Sequence, residues 1–347
     1  MSGVPQPSGP RVSVVVPCFN SLRFLPATLD TVRTQTFDDL EIVLVDDGGS
    51  DDLAGFVAGV DDERIRLVRQ DNAGVSAARN RGIAEAAGEL VLCLDADDLL
   101  VPEAIALLVG AYDAAHDDPG LPLGMVYGWS DVVDEHGVSS GRVRSSDWEG
   151  DVWSRLVTRN VVALGAALVP AAVYRELGGF RVNRDRFAVD VEDWELWIRL
   201  AAGHRVALVP QVVLHVRRHG SNSTAGGATE TLEAAYRYLL GQVFDDPALV
   251  TARPGVDLDA LRAAATATAE MRLAWHSLND DGAGDAALGY LRSASRHDPE
   301  VRRTGEFWRL RAAAGAMQVL GSDGYERVRG LNSALRRRVR ALGGGSG

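Results

Sequence analysis

Between residues 11 and 98, short apolar runs alternate with stretches of helical periodicity. VSVVVP (12–17), EIVLVDD (41–47), IRLVRQ (65–70) and ELVLCLD (89–95) are apolar runs bounded by polar turns, as expected of buried strands. Residues 22–34, and a stretch opening near Gly74, carry the helical pattern between them. This alternation predicts an α/β domain, a parallel sheet with helices on both faces, whose ligands lie beyond the carboxyl ends of the strands. The polar residues fall there: Pro17 to Asn20, Asp46 and Asp47, Asp71 and Asn72, and Asp95 to Asp98.

The pattern then loosens. Residues 126–133 and 161–169 read as strands, 137–150 as a polar loop, 190–202 as a helix carrying Trp194, Trp197 and Ile198, and 206–209 and 212–217 as further strands. SNSTAGGA (221–228) marks a domain boundary. Beyond it the pattern is helical, which divides the chain into a leader (1–10), a main domain (11–224), a helical C-terminal domain (228–342) and a flexible GGGSG tail (343–347). Residues 274–300 resemble a single tetratricopeptide-type hairpin, with glycine at the turn and proline after the second helix. An array needs about three copies, so an appendage is the expectation. Its apolar positions Leu232, Tyr236, Leu239, Trp275 and Trp308 require burial, either on the main domain or, slightly favoured, in a homodimer. LNSALRRRVRAL near the C-terminus reads as a capping helix with a solvated arginine face, or as a weak peripheral contact with an acidic membrane surface.

The 347 residues carry a formal charge of −12, which argues against a nucleic-acid-binding surface. No lysine occurs, so all 36 basic residues are arginine and any phosphate contact falls to a guanidinium. Cys18 and Cys93 read as packed thiols rather than a disulfide framework. With no apolar signal region and no membrane-length run, the expected location is cytoplasmic, with the inner membrane face as the alternative for a peripheral protein.

Asp95, Asp97 and Asp98 end an apolar strand, and clustered carboxylates repel one another unless a cation or hydrogen-bond donors neutralise them. Such a turn holds a divalent cation or a ribose, or is simply solvated. The wider set of motifs decides: VVVPCFN (14–20), QTFDDLEIVLVDDGGSDD (35–52), DNAGVSAARNRGIAEAAGELVLCLDADD (71–98), GGFR (178–181), VEDWELWIRLA (191–201) and VRRHGSNST (216–224). In order and spacing, residues 11–224 resemble a family 2 glycosyltransferase of the GT-A fold.

That resemblance implies an inverting, metal-dependent enzyme that moves a sugar from a nucleoside diphosphate donor, UDP-linked in the usual case, to a hydroxyl acceptor in polysaccharide, glycoconjugate or secondary-metabolite assembly. Asp47 would accept from the base, with Pro17, Phe19 and Asn20 shaping the pocket, although Phe19 also reads as core filler. Asp95 would face the ribose or the metal shell. Asp97 would hold Mg²⁺ or Mn²⁺ against the diphosphate, with Asp98 as a further ligand or supporting acid. Arg79 and Asn80 would meet the nucleotide, unless Arg79 instead locks Asp71 or Asp95. In Glu192-Asp193-Trp194, Asp193 would be the general base, Glu192 its neighbour and Trp194 an acceptor wall or a core residue. His219 would serve the metal or diphosphate, with His215 as the substitute. The rival reading is an inert nucleotide-sugar-binding module acting through its helical tail.

Overall fold

The computed structural model describes residues 9–115, 121–182, 191–220, 229–251, 253, 255–321 and 324. The expected disordered leader, the 221–228 boundary and the basic C-terminal helix lie largely or wholly outside them. The chain divides into two compact units, Met1–Ala225 with Gln242–Gly255, and Gly226–Gly241 with Val256–Gly347.

In the first unit, β1 (Val12–Cys18), α1 (Leu25–Arg33), β2 (Leu40–Asp46), α2 (Leu53–Ala58), β3 (Ile65–Arg69), α3 (Val75–Glu85) and β4 (Leu90–Cys93) follow one another. β1 lies between β2 and β4, all parallel, with Val12 opposite both Leu40 and Leu90. β3 extends the parallel set beyond β2. Five of the seven residues of β2 and all four of β4 are apolar and buried, as strands covered on both faces require. Helix α3 packs so tightly on this sheet that a Cβ on Gly82 would collide with Val15.

β5 (Leu99–Leu100) and α4 (Ala104–Ala115) lead into β6 (Leu123–Val133), β7 (Ser139–Arg144), α5 (Trp153–Thr158), β8 (Ala167–Pro170), α6 (Ala171–Leu177), α7 (Glu192–Gly203) and β9 (Arg205–Arg217). Here the expected all-parallel sheet gives way to a mixed one, ordered β3-β2-β1-β4-β8-β6-β9-β5, with β7 paired to β6. β8 runs antiparallel to both β4 and β6, and β5 antiparallel to β9. The two strands expected at 206–209 and 212–217 are a single β9, whose register against β6 slips where Gly128 and Trp129 face Val209 and Val212. The polar loop expected at 137–150 contains β7, an exposed hairpin strand.

α8 (Thr229–Phe244) and α9 (Pro247–Thr251) come next. In the second unit, α10 (Leu258–Asn279) and α11 (Gly284–His297) form the expected hairpin, followed by a 3₁₀ turn (Pro299–Arg303) and α12 (305–321). Met271, Leu278, Leu291, Phe307 and Leu310 belong to its core. Tyr236 and Leu239 are buried as expected, but Trp275 and Trp308 are 43% and 55% exposed. The Trp308 indole N–H donates to the Arg302 carbonyl at 2.7 Å, so that ring caps the 3₁₀ turn instead of filling a core.

Candidate active site

The turn 95–98 follows β4, and its three carboxylates are held in three different ways. Asp95 Oδ1 accepts from Arg79 Nη2 at 2.7 Å, with the Asp95 side chain 38% exposed. Asp97 Oδ2 stands 2.9 Å from Nε2 of His219, whose buried ring stacks on Phe24 with centroids 4.1 Å apart. Asp98 is buried and accepts the Arg217 backbone N–H at 2.9 Å, which fastens the end of β9 to the turn. Burial, then the charge of Asp95, raises the pKa of Asp97; burial, then Asp95 and Asp97, raises that of Asp98 well above the carboxylate range. The one hydrogen bond described for the Asp98 side chain is thus to the backbone of β9.

Among the described residues, no three His, Cys, Asp or Glu side chains converge as a ready metal shell. Asp97 and His219 nevertheless place a carboxylate oxygen and an imidazole nitrogen side by side. That pair fits a hard divalent cation held by one or two protein groups and completed by water and phosphate oxygens.

Arg79 is 4% exposed and spans the site, with Nη2 on Asp95 and Nη1 on Glu192 Oε1 at 2.9 Å. Burial works against its charge, but Asp95 and Glu192 more than offset it, and its pKa stands above the ordinary arginine value. Its terminal nitrogens are thus engaged by two carboxylates, one of which is the alternative expected for it. Asn80, the next residue, donates Nδ2 to the Phe180 carbonyl at 2.7 Å and accepts the Phe180 N–H at 2.8 Å, so its amide clamps the backbone of GGFR. A Cβ on Gly179, whose φ is +72°, would collide with the Asn80 Oδ1. The Arg79 guanidinium lies 5.3 Å from the Phe180 ring centroid.

Glu192, Asp193 and Trp194 open α7. Asp193 is partly exposed and accepts the Trp194 backbone N–H at 2.5 Å. Burial first and Glu192 second push its carboxyl up to about 7, with Arg79 pulling the other way. Trp194 is buried, its indole N–H donating to the Leu156 carbonyl at 2.6 Å, so it packs in the core, the second of the two readings the sequence offered. A turn further along α7, Glu195 and Arg199 pair at 2.7 Å, and Arg199 also donates to the carbonyls of Leu177 and Gly179, each at 2.8 Å.

At the ends of β1 and β2, Asp47 is buried and organises the β3–α3 loop, accepting from Gln70 Nε2 (2.7 Å), the Ala73 N–H (2.9 Å) and the Gly74 N–H (3.0 Å). Three of roughly four acceptor positions of a carboxylate are thereby used. Pro17 pairs with Val45 in the β1–β2 register. Asn20, at φ +50°, accepts from the Ser50 N–H (2.7 Å) and hydroxyl (3.0 Å). Phe19 is 53% exposed, so it is no core filler. Both cysteines are free and buried, which pushes each thiol up to about 12 and leaves it unreactive.

Sequence reasoning missed Phe24, which His219 stacks on and Arg217 approaches to 5.1 Å from the ring centroid. It also missed the Glu195–Arg199 clamp, for which the four-residue spacing on a helix was the available signal. His215 is committed elsewhere: its Nδ1 meets Asp131 Oδ1, and Asp131 Oδ2 accepts from Ser139 at 2.8 Å.

Residues 13–150 match the family described as Glycosyl transferase family 2. A PGL/p-HBAD biosynthesis glycosyltransferase of Mycobacterium bovis (strain BCG / Pasteur 1173P2) is 31% identical over 198 residues, covering 55% of this chain and 70% of that protein. The Bacillus subtilis (strain 168) protein EpsH, a glycosyltransferase by name, is 30% identical over 172 residues, 44% of this chain and 48% of its own length. The chain thus spans about half the length of EpsH, and 30% and 34% of two Rickettsia relatives. Among solved structures, S. aureus TarS 1-349 in complex with UDP-GlcNAc aligns with a TM-score of 0.55 at 15% identity, covering 84% of this chain and 92% of that one. The mannosyltransferase PcManGT of Pyrobaculum calidifontis, in complex with GDP-Man and Mn²⁺, aligns at 0.51 with 21% identity, covering 91% and 89%. These likenesses establish a GT-A-type mixed α/β sheet followed by C-terminal helices. With a relative 31% identical across 70% of its length, the chain belongs to glycosyl transferase family 2.

Proposed function

We propose that this protein is an inverting glycosyltransferase, moving a sugar from a nucleoside diphosphate donor, UDP-linked by preference, to a hydroxyl acceptor. The observation that carries the reading is Asp193. Its carboxyl, pushed up to about 7, sits beside Glu192, which is held by Arg79, the arginine that also meets Asp95 of the acidic turn. A carboxyl poised near neutrality can both take a proton and be ionised at working pH, which general-base catalysis requires. Asp193 would accept the proton of the acceptor hydroxyl as that oxygen attacks the anomeric carbon opposite the departing diphosphate. A single displacement of this kind inverts the anomeric centre.

Asp97 and His219 are the residues that would hold Mg²⁺ or Mn²⁺, and Asp95 the group that would face the ribose. When bound, the cation supplies neutralisation of the diphosphate leaving group. Asp47, its remaining acceptor position turned to the base, and the exposed ring of Phe19 would bound the nucleobase pocket. Two relatives of this fold are described with UDP-GlcNAc and with GDP-Man and Mn²⁺, which supports a nucleotide-sugar donor.

A panel of UDP- and GDP-sugars, each with and without Mn²⁺, tests the reading by thermal shift. A donor at 100 times its dissociation constant adds about 2.7 kcal/mol to the stability of the folded state. The expected result is stabilisation by one nucleotide class that EDTA abolishes. No shift with any nucleotide sugar would defeat the proposal.

A further inference from the structure

We propose that Arg79 is a positioning residue that holds the two halves of the site in register, tying the donor-side carboxylate Asp95 to the acid pair that opens α7. The inference rests on the reading of Asp193 as the base and says what keeps that base in place.

The geometry forms a closed loop of contacts. Arg79 leaves α3, a helix fixed to the sheet by the close approach at Gly82, and its two terminal nitrogens reach carboxylates from separate parts of the chain. One is Asp95, at the end of β4; the other is Glu192, in the first turn of α7. The face of the guanidinium lies near Phe180, whose backbone the neighbouring Asn80 clamps in both directions. From α7, Arg199 holds the carbonyls of Leu177 and Gly179, in the same segment, and is itself gripped by Glu195. Helix α7 is therefore fixed at two levels, by Arg79 at Glu192 and by Arg199 two turns on, both referred to segment 177–181. Two such attachments fix both the position and the rotation of α7, and with them the direction of Asp193.

A planar fork with donors in fixed directions suits this bridge, and a lysine, a flexible point charge, does not. The charged groups facing Asp193 are Glu192 on its own helix, Arg79 from α3 and Asp95 from the end of β4. Arg79 is the cation among them. Without it, Asp193 faces two acids, and its proton is held more tightly.

The test follows the Asp193 carboxyl directly, by ¹³C-aspartate NMR titration of the full chain, with the resonance assigned through Asp193→Asn. In Arg79→Gln the midpoint should rise by about one pH unit or more, and in Arg79→Lys by roughly half as much. The Kd for UDP with Mn²⁺ should stay within about threefold of wild type in both. A midpoint unmoved in a folded Arg79→Gln variant would overturn the proposal, because a merely structural arginine predicts that result. An unchanged midpoint together with lost UDP binding would also overturn it, by making Arg79 a nucleotide contact. Should the glutamine variant not fold, the lysine variant decides: wild-type behaviour in both measurements rejects the bridge. Turnover of UDP-sugars is scored separately, so a protein that transfers no sugar refutes the glycosyltransferase reading while the titration still judges Arg79.

Discussion

The site contains two acidic clusters, and they are neutralised differently. In the turn 95–98, Asp95 has an arginine, Asp97 a histidine and Asp98 a backbone N–H. At the start of α7, Glu192 has the same arginine, whereas Asp193 accepts from the N–H of the next residue and, among the described residues, forms no ion pair with an arginine or histidine. A carboxylate given a hydrogen-bonding partner is held in place. One left beside a like charge and withdrawn from water keeps its proton to higher pH, and so becomes able to exchange it near neutrality. The described contacts hold the acids of the turn in place, while the head of α7 carries a carboxyl able to exchange its proton near neutrality.

The sharpest way to break this contrast is to remove one acid from each cluster. Asp97→Ala should abolish transfer and the metal dependence of donor binding while leaving the fold intact, as followed by nucleotide calorimetry with and without Mn²⁺. Full activity of the wild type in EDTA would end the metal assignment. Asp193→Asn should lower turnover by about 10² to 10⁴ yet bind the donor almost normally. A variant that instead loses donor binding, with normal turnover per bound donor, would put Asp193 in the wrong cluster.

The same assignment fixes a pH dependence. Since Asp193 must be ionised to accept a proton and its carboxyl is pushed up to about 7, turnover should rise with pH through that region, and the limb should vanish in Asp193→Asn. Stability should move the other way. The folded state binds this proton more tightly than the unfolded chain, so Asp193 lowers stability progressively as pH climbs from about 4 to about 7.

Much of the first cluster was legible because its strands are covered on both faces and therefore appear as unbroken apolar runs. The ends of β1, β2 and β4 fall within two residues of the runs that announced them, and the acids stand just beyond them. The second half was harder. All six residues of β7 are exposed, so no apolar alternation marked it as a strand. The antiparallel β8 between β4 and β6 leaves no trace in periodicity, because strand direction depends on the connections and not on the faces. Helix α4, apolar almost throughout, has little amphipathic stripe to announce it, and α2 and α5 are too short to show a period. Within the site, residue types were readable and partners were not. Arg79 and Glu192 lie 113 positions apart, and nothing local told whether that arginine would meet a phosphate or a carboxylate. Trp194 had the same ambiguity, settled only by the Leu156 carbonyl that receives its indole N–H.

The smallest expected effect separates two neighbours within the turn. Asp98 takes its one described hydrogen bond from the Arg217 N–H, and burial together with Asp95 and Asp97 holds its pKa well above the usual range. An asparagine keeps the accepting oxygen and removes the charge that its neighbours oppose. Asp98→Asn should therefore change transfer by less than about threefold and leave the melting temperature at neutral pH unchanged or raised, because it keeps the acceptor for the Arg217 N–H and removes a buried charge that its neighbours oppose. The sign follows from linkage. A carboxyl whose pKa is raised on folding costs stability above its unfolded value of about 3.9, so any gain from the amide should grow as pH rises from there and disappear below it. Calorimetric melts at pH 4 and pH 7 check this. A loss of transfer in Asp98→Asn as deep as in Asp97→Ala would show that the buried acid serves the ligand after all, and that the turn does not divide its work between holding β9 and facing the donor.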